Sequence, residues 1–213
     1  PPRQLGLADL PPHEIHTTVT RPLSLPPYRV GPGKQAIIEK EVDELLRQGC
    51  VQPSTSPWAC PVVLVKKPDG GVRFCCDFRR LNQVTERDVY PLPRVADTLH
   101  MLGGKRYFSA LDLASGFWQV PLEEKSRQKT AFVTMHGLWE WKVMPMGITN
   151  ASASFQRGMD EVLNNLKWNT CLIYIDDVLV FSSTWEEHLR NLREVLTRLA
   201  RHRLHVKAKK CTF

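Results

Sequence analysis

The chain has 213 residues, 42% of them hydrophobic and 24% charged, enough for one sizeable domain or two small lobes. No apolar run approaches the roughly 20 residues that cross a bilayer, and the first residues lack the charged, apolar and small-residue succession of a secretory signal, so neither a membrane nor a leader role is expected. The net charge of +7 favours a polyanionic partner, nucleic acid before an acidic membrane face.

Residues 1–32 hold eight prolines and little periodicity, and read as an extended lead-in over the surface. Lys34–Gln48 follows as an amphipathic helix with Ile38, Val42, Leu45 and Leu46 on one stripe and Gly49 at its stop. After a turn at Pro53–Pro57, strands Pro61–Lys66 and Val72–Asp77 flank Pro68-Asp69-Gly70-Gly71, a hairpin tip. Lys66 and Lys67 stand on one side of that tip and Arg73 on the other. They read either as solvated edge charge or as a cationic finger for a triphosphate, with Lys66 and Arg73 as its charges. Pro93–Leu102 is a short helix through Val95, Leu99 and Leu102, and Glu123–Gln128 a single helical turn. Strands Lys129–Thr134 and Glu140–Met144 surround His136-Gly137. A helix opened by Asn150 carries Phe155, Met159, Val162, Leu163 and Leu166 on one face, and Trp185–Leu204 is amphipathic through Leu189, Leu192, Leu196 and Leu199. This order indicates an α+β fold with a mainly antiparallel sheet packed on helices. Six cysteines without C-x-x-C spacing and seven histidines without ligand spacing point to reduced thiols in an intracellular protein rather than zinc or a disulfide framework.

Two stretches carry candidate chemistry. In Thr170–Ser182, apolar strands Cys171–Ile175 and Val178–Phe181 flank Asp176 and Asp177, which read as a hairpin tip. The pair is either turn chemistry or a cation site, because two adjacent like charges at the end of a buried ribbon cost energy unless a cation is present. In Tyr107–Val120, a strand delivers Asp112 at its end, a bend runs through Ala114-Ser115-Gly116, and Phe117 lies five residues past the aspartate. A strand-end Asp with a hairpin Asp-Asp suits two divalent ions and phosphoryl transfer.

The motifs Leu111-Asp-Leu-Ala-Ser-Gly-Phe117, Met144-Pro-Met-Gly-Ile-Thr-Asn-Ala-Ser-Ala-Ser-Phe-Gln156 and Tyr174-Ile-Asp-Asp177 occur in that order. Pro53-Ser-Thr-Ser-Pro-Trp58, Val65-Lys-Lys67, Arg73, Cys76-Asp-Phe-Arg79 and Leu81-Asn82 accompany them. Together they resemble the reverse transcriptase domain of Ty3/gypsy-type LTR retrotransposon and retrovirus-like Pol polyproteins, from about His13 to the last residue. Met146 stands where relatives often have Phe, and Ser152 where many have Pro.

The resemblance implies an RNA-directed DNA polymerase with the fingers and palm of a right hand. The fingers would be residues 33–87 and 120–150 and the palm residues 88–119 and 151–213, the chain ending before the primer grip and thumb. It implies two Mg²⁺ ions, replaceable by Mn²⁺, on Asp112, Asp176, Asp177 and the backbone at Leu113. Lys66, Arg73, Phe117 and Met146 would face the incoming dNTP, Phe117 as a steric gate against a ribose 2′-hydroxyl. Arg79, Asn82, Gly147, Gln156, Tyr174 and Ile175 would face the RNA or DNA template–primer. One of Lys207, Lys209 and Lys210 would act as general acid on the leaving pyrophosphate, or simply bind phosphate. Implied partners are nucleic acid, dNTPs and the remaining Pol regions (thumb, connection, ribonuclease H, integrase), with no membrane, in a cytoplasmic virus-like particle or the nucleus. The competing reading is a non-catalytic retroelement-derived fragment that binds nucleic acid or a protein. The retained carboxylates, Arg73 and the aromatic at 117 favour catalysis, and the Pro53–Trp58 and Met144–Gln156 stretches favour the LTR type over intron-type or telomerase-type palms.

Overall fold

The stripe of Ile38, Val42 and Leu45 is buried along helix α1, Pro32–Arg47, in the computed structural model, which describes residues 6–67, 70–94, 98 and 100–213. Pro32 opens α1 where its missing N–H is no loss, and Gly49 follows it with φ 72°. The chain continues through β1 (Val51–Pro53), β2 (Cys60–Lys66), β3 (Val72–Cys76), α2 (Arg79–Val84), β4 (Tyr107–Asp112) and α3 (Glu124–Arg127). It then forms β5 (Phe132–Thr134), β6 (Gly137–Trp141), α4 (Ala151–Val162), β7 (Cys171–Tyr174), β8 (Asp177–Ser182) and α5 (Trp185–Arg201).

Residues 12–87 and 121–151 make one unit, and residues 6–11, 88–120 and 152–213 a second. The first holds a five-stranded sheet in the order β1-β6-β5-β2-β3, antiparallel except where β2 runs parallel to β5. Phe132, Trp141, Val62 and Met144 are buried in its core, with Phe74 edge-on to Phe132. The second holds the antiparallel sheet β4-β8-β7, whose inner residues Leu111, Ile173, Val178 and Val180 are buried with Phe155 and Met159 of α4 and Val195 and Leu199 of α5. Thr184 caps α5 by accepting the Glu187 N–H, and Glu187 returns a carboxylate to the Ser183 N–H.

Several expectations are corrected. The lead-in is not merely superficial. Within the second unit, Ala8 and Leu10 are buried, and Leu10 packs on Gly158. Within the first, His13 and Ile15 are buried, and the Ile15 N–H donates to Ser126 Oγ at 2.9 Å. Strand β1 was not expected; it runs into the first residue of the expected Pro53–Pro57 turn and pairs with β6 from Val51↔Trp141 to Pro53↔Trp139. The β5–β6 turn falls on Met135-His136, because Thr134 pairs with Gly137, so β6 starts three residues before the expected Glu140. The Pro93–Leu102 helix rests on Val95 and Leu99, and the hairpin tip on Pro68 and Asp69, all outside the described residues. No helix among the described residues is long and apolar enough to cross a membrane. All six cysteines are free, with Cys50, Cys60 and Cys171 buried.

Candidate active site

The acidic corner is built by strand register. In the β4–β8 ladder, Asp112 stands directly opposite Asp177. Their side chains therefore share a face, with Cβ atoms about 4.5–5.5 Å apart, a placement that is unfavourable for like charges. The β7–β8 register pairs Tyr174 with Asp177, so the turn consists of Ile175 and Asp176 rather than the expected Asp176-Asp177. Asp177 belongs to the strand. Ile175 sits at φ 53°, a left-handed conformation that costs a β-branched residue about 1–3 kcal/mol.

Gln156 holds that turn from below. Its Oε1 accepts the Ile175 N–H at 3.0 Å, while Nε2 donates to the Ile173 carbonyl at 3.4 Å and to Asp160 Oδ1 at 2.9 Å. The residue is fully buried, which corrects its expected template–primer contact: its amide is spent inside the fold.

Asp176 Oδ1 is buried without a hydrogen-bond partner among the described residues. Gly116, in the 3₁₀ turn Gly116–Gln119, lies against it: a Cβ there would stand 2.5 Å from Asp176 Oδ1 and 3.1 Å from Phe155 Cζ. Burial first, then the charges of Asp177 and Asp112, push the Asp176 carboxyl up to about 6, with Lys210 opposing the rise. Lys210 Nζ reaches Asp112 Oδ2 at 3.3 Å, whereas no such contact is made by Lys207 or Lys209 among the described residues. The Leu113 N–H donates to the Asp176 carbonyl at 3.2 Å and ties β4 to the turn.

Among the described residues no three His, Cys, Asp or Glu side chains stand close enough together to hold a metal ion as they are. The donor set nonetheless fits a hard divalent cation. It offers carboxylate oxygens from two adjoining strands and from the turn before β8, the turn's Asp176 Oδ1 being buried and unbonded, and a raised acid that a 2+ charge would bring back down.

Phe117 is half-buried in the same unit, its ring edge-on to Phe155 with centroids 5.6 Å apart. Tyr174 is exposed beside the turn, and Ile175 is half-buried in it.

The remaining expected site residues belong to the first unit. There the β2–β3 register pairs Val65 with Arg73 and Lys66 with Val72, so Lys66 and Arg73 face opposite sides of the ribbon. The expected pair is thus split between the two faces of the ribbon. The Lys67 N–H donates to the Gly71 carbonyl at 2.8 Å and extends the register by one residue, which puts Lys67 on the face of Arg73. Sequence spacing could not separate the two lysines, because their faces depend on where the turn closes. Arg79 grips Asp77 with two nitrogens at 2.8 and 2.6 Å, and Tyr28 donates to the same carboxylate; together they hold the Asp77 carboxyl well below its ordinary range. The Arg79 side chain is still 79% exposed, on an open cleft of about 690 Å³ with Tyr28, Arg29, Arg80 and Gln83. Asn82 donates to the Gly147 carbonyl at 2.8 Å and accepts the Thr149 N–H at 2.9 Å, fixing the loop on which Met146 is exposed and Gly147 takes φ 93°.

Residues 65–213, well over half of the chain, match the family described as reverse transcriptase (RNA-dependent DNA polymerase). The chain belongs to that family. It is 40% identical over 205 residues to the retrovirus-related Pol polyprotein from transposon opus of Drosophila melanogaster, covering 94% of this chain and 20% of that protein. It is 35% identical to the corresponding polyprotein from transposon gypsy, over 93% of this chain and 20% of the relative. The enzymatic polyprotein of cauliflower mosaic virus (strain Strasbourg) is 35% identical over 90% of the chain and 29% of the relative. The chain thus spans under a third of the length of these relatives. Among solved structures, the foamy viral protease–reverse transcriptase in complex with RNA/DNA hybrid shares 29% identity and a TM-score of 0.88, over 99% of this chain and 28% of that one. The α+β architecture with antiparallel ladders is therefore that of reverse transcriptase fingers and palm.

Proposed function

We propose that this reverse transcriptase chain is the part of an RNA-directed DNA polymerase that adds deoxynucleotides to a primer 3′-hydroxyl. The observation that carries the reading is the cross-strand pairing of Asp112 with Asp177 beside the buried, unpartnered Asp176 oxygen. On this reading the fingers are residues 33–87 and 120–150 and the palm residues 88–119 and 151–213. Asp112, Asp176, Asp177 and the backbone at Leu113 would hold two Mg²⁺ ions, or Mn²⁺ in their place. When bound, these would lower the pKa of the primer hydroxyl and neutralise charge on the leaving pyrophosphate. The two-strand ladder fixes Asp112 and Asp177 on one face, and Gln156 and Gly116 fix Asp176, so the carboxylates need little reorganisation during reaction.

Arg73 and Lys67, sharing one ribbon face, are assigned to the triphosphate, with Met146 at the nucleotide. The exposed Arg79, beside a cleft that also bears Arg29 and Arg80, is assigned to template phosphate, with Asn82 and Gly147 shaping the adjoining loop. Tyr174 and Ile175 are assigned to the primer end, Lys210 to the leaving pyrophosphate, and the remaining Pol regions to the rest of template–primer handling. A cytoplasmic virus-like particle or the nucleus is proposed as its place of work.

Primer extension on an RNA template with dNTPs and Mg²⁺ tests this directly. Asp112→Asn and Asp177→Asn are each expected to lower incorporation by about 10³-fold or more, since each removes a carboxylate that would hold the divalent ions. Template binding by the unaltered chain with no incorporation, and no change in either variant, would instead support the non-catalytic reading.

The ring of Phe117 carries a separate prediction. Set edge-on against Phe155, it has little freedom to swing aside for a 2′-hydroxyl. Phe117→Ala is expected to lower discrimination against rNTPs by about 10²-fold, equivalent to about 3 kcal/mol, with dNTP use largely kept. Competition between labelled dNTP and rNTP measures it. Unchanged discrimination would remove Phe117 from the role.

A further inference from the structure

The outer edge of β4 is covered by the chain's last residues, which run along it as a strap. Ala114 N–H donates to the His205 carbonyl at 2.9 Å, Lys207 N–H donates to the Asp112 carbonyl at 2.8 Å, and Ala110 and Thr212 exchange bonds of 2.8 and 2.9 Å. Gln119, fully buried, clamps the start of the strap: its Nε2 donates to the Ala114 and His205 carbonyls at 2.9 and 3.0 Å, and its Oε1 accepts the His205 N–H at 2.8 Å. Between these anchors Ala208–Lys210 leaves the ladder as one 3₁₀ turn, closed by Lys210 N–H on the Lys207 carbonyl at 2.8 Å. The strap uses Lys207–Thr212 to pass Ala110–Asp112 of β4, so the surplus residues bulge out beside Asp112. That bulge, anchored at both ends, delivers Lys210 Nζ to Asp112 Oδ2 at 3.3 Å.

An exposed ion pair ordinarily contributes little, because ordering two long side chains offsets the attraction. This pair differs in two respects. The backbone of each partner is already fixed by the strap, and the acid faces a like charge directly across the ladder at Asp177. A cation here relieves repulsion that the register builds in. The Lys210 side chain is 57% exposed, so water is open to it when it leaves.

We propose that Lys210 is the internal counter-cation of the acidic corner, held on Asp112 until a divalent ion displaces it. This deepens the polymerase reading and rests on it. The ammonium and a divalent ion compete for the same carboxylate oxygen, and a displaced Lys210 stays tethered beside the corner, available to phosphate. The strap thereby sets how tightly the corner takes a metal before any nucleotide arrives, a positioning role distinct from proton donation.

The test is Mn²⁺ binding to the full 213-residue chain without nucleic acid, followed by electron paramagnetic resonance, together with thermal melting in chelator. Lys210→Met is expected to bind Mn²⁺ about 3- to 10-fold more tightly, to melt lower in chelator, and to show a larger rise in melting temperature on adding Mn²⁺. Lys210→Arg keeps the counter-charge and is expected to behave as the unaltered chain, as is Lys209→Met, whose lysine makes no contact with Asp112. Equal or weaker Mn²⁺ binding by Lys210→Met than by Lys209→Met overturns the counter-cation role while leaving the polymerase reading intact. Absence of Mn²⁺ binding by the unaltered chain, matched by Asp112→Asn, overturns both.

Discussion

Asp176→Asn is expected to abolish nucleotide addition and, at the same time, to make the metal-free protein more stable. The carboxyl stands at about 6 instead of its ordinary 3.8, because burial and two neighbouring aspartates disfavour its charge. For an acid whose folded-state pKa is raised, the contribution to stability is greatest below the unfolded value and is lost as pH rises through the folded value. The native chain therefore carries a penalty at neutral pH that is absent below about pH 4. The full difference corresponds to about 3 kcal/mol, reduced to about 1–2 kcal/mol by solvent screening at a partly exposed carboxyl. Asparagine keeps the shape and removes the charge. At pH 7.5 in chelator its melting temperature is expected to lie about 2–6 °C above that of the unaltered chain, with the gap closing towards pH 4. Saturating Mg²⁺ should reverse the order, because only the unaltered corner gains binding energy. Equal melting at pH 7.5 in chelator would mean that the corner is not strained by its own charge. Such a result would remove the electrostatic argument for a cation there.

Much of the frame was legible because local pattern and tertiary demand agree. Helix α1 keeps its apolar residues at helical spacing, and the face read from the sequence is the one that is buried, through Ile38, Val42 and Leu45. On α5 the helix was legible but its buried face was not: of the expected stripe only Leu199 is buried, Leu192 and Leu196 are half-buried and Leu189 is exposed, while His188 and Val195 are the other buried residues. What else was not legible depended on register. A one-residue displacement of the β5–β6 turn went with a three-residue earlier start of β6, and face alternation put Lys67 rather than Lys66 on the face of Arg73. Strand β1 was hidden because three residues ending in proline carry no pattern of their own and are held only by pairing with β6. The Asp-Asp motif was visible, yet its geometry was not: the positive φ that no glycine supplies is borne by Ile175, and the support comes from Gln156, 19 residues earlier. A Gln beside the apolar stripe of Phe155, Met159, Val162 and Leu163 was the available signal, and spacing alone could not aim it at the turn.

Gly116 is the other residue whose importance only the structure displays. In the sequence it marks a bend. In the fold its missing side chain is the space into which the Asp176 carboxylate projects, with φ outside the left-handed region, so the requirement is for room and not for backbone freedom. A methyl group there would stand 2.5 Å from Asp176 Oδ1 and 3.1 Å from the Phe155 ring, both well inside ordinary contact. The chain has two ways to relieve this. Asp176 can rotate out, against a turn pinned by Gln156, or the 3₁₀ turn can lift and carry the neighbouring Phe117 with it. Either movement displaces one part of the proposed catalytic constellation, and a shift near 1 Å is enough to cost about 10²-fold in rate. Gly116→Ala is therefore expected to lower incorporation by 10²-fold or more and to destabilise the chain by about 1–3 kcal/mol through overpacking. The double variant Gly116→Ala/Asp176→Gly separates the two routes. If the clash with Asp176 is the cause, stability returns in the double variant while activity stays lost. If the clash with Phe155 dominates, melting stays low in both, and the Asp176 carboxylate is not what the glycine makes room for.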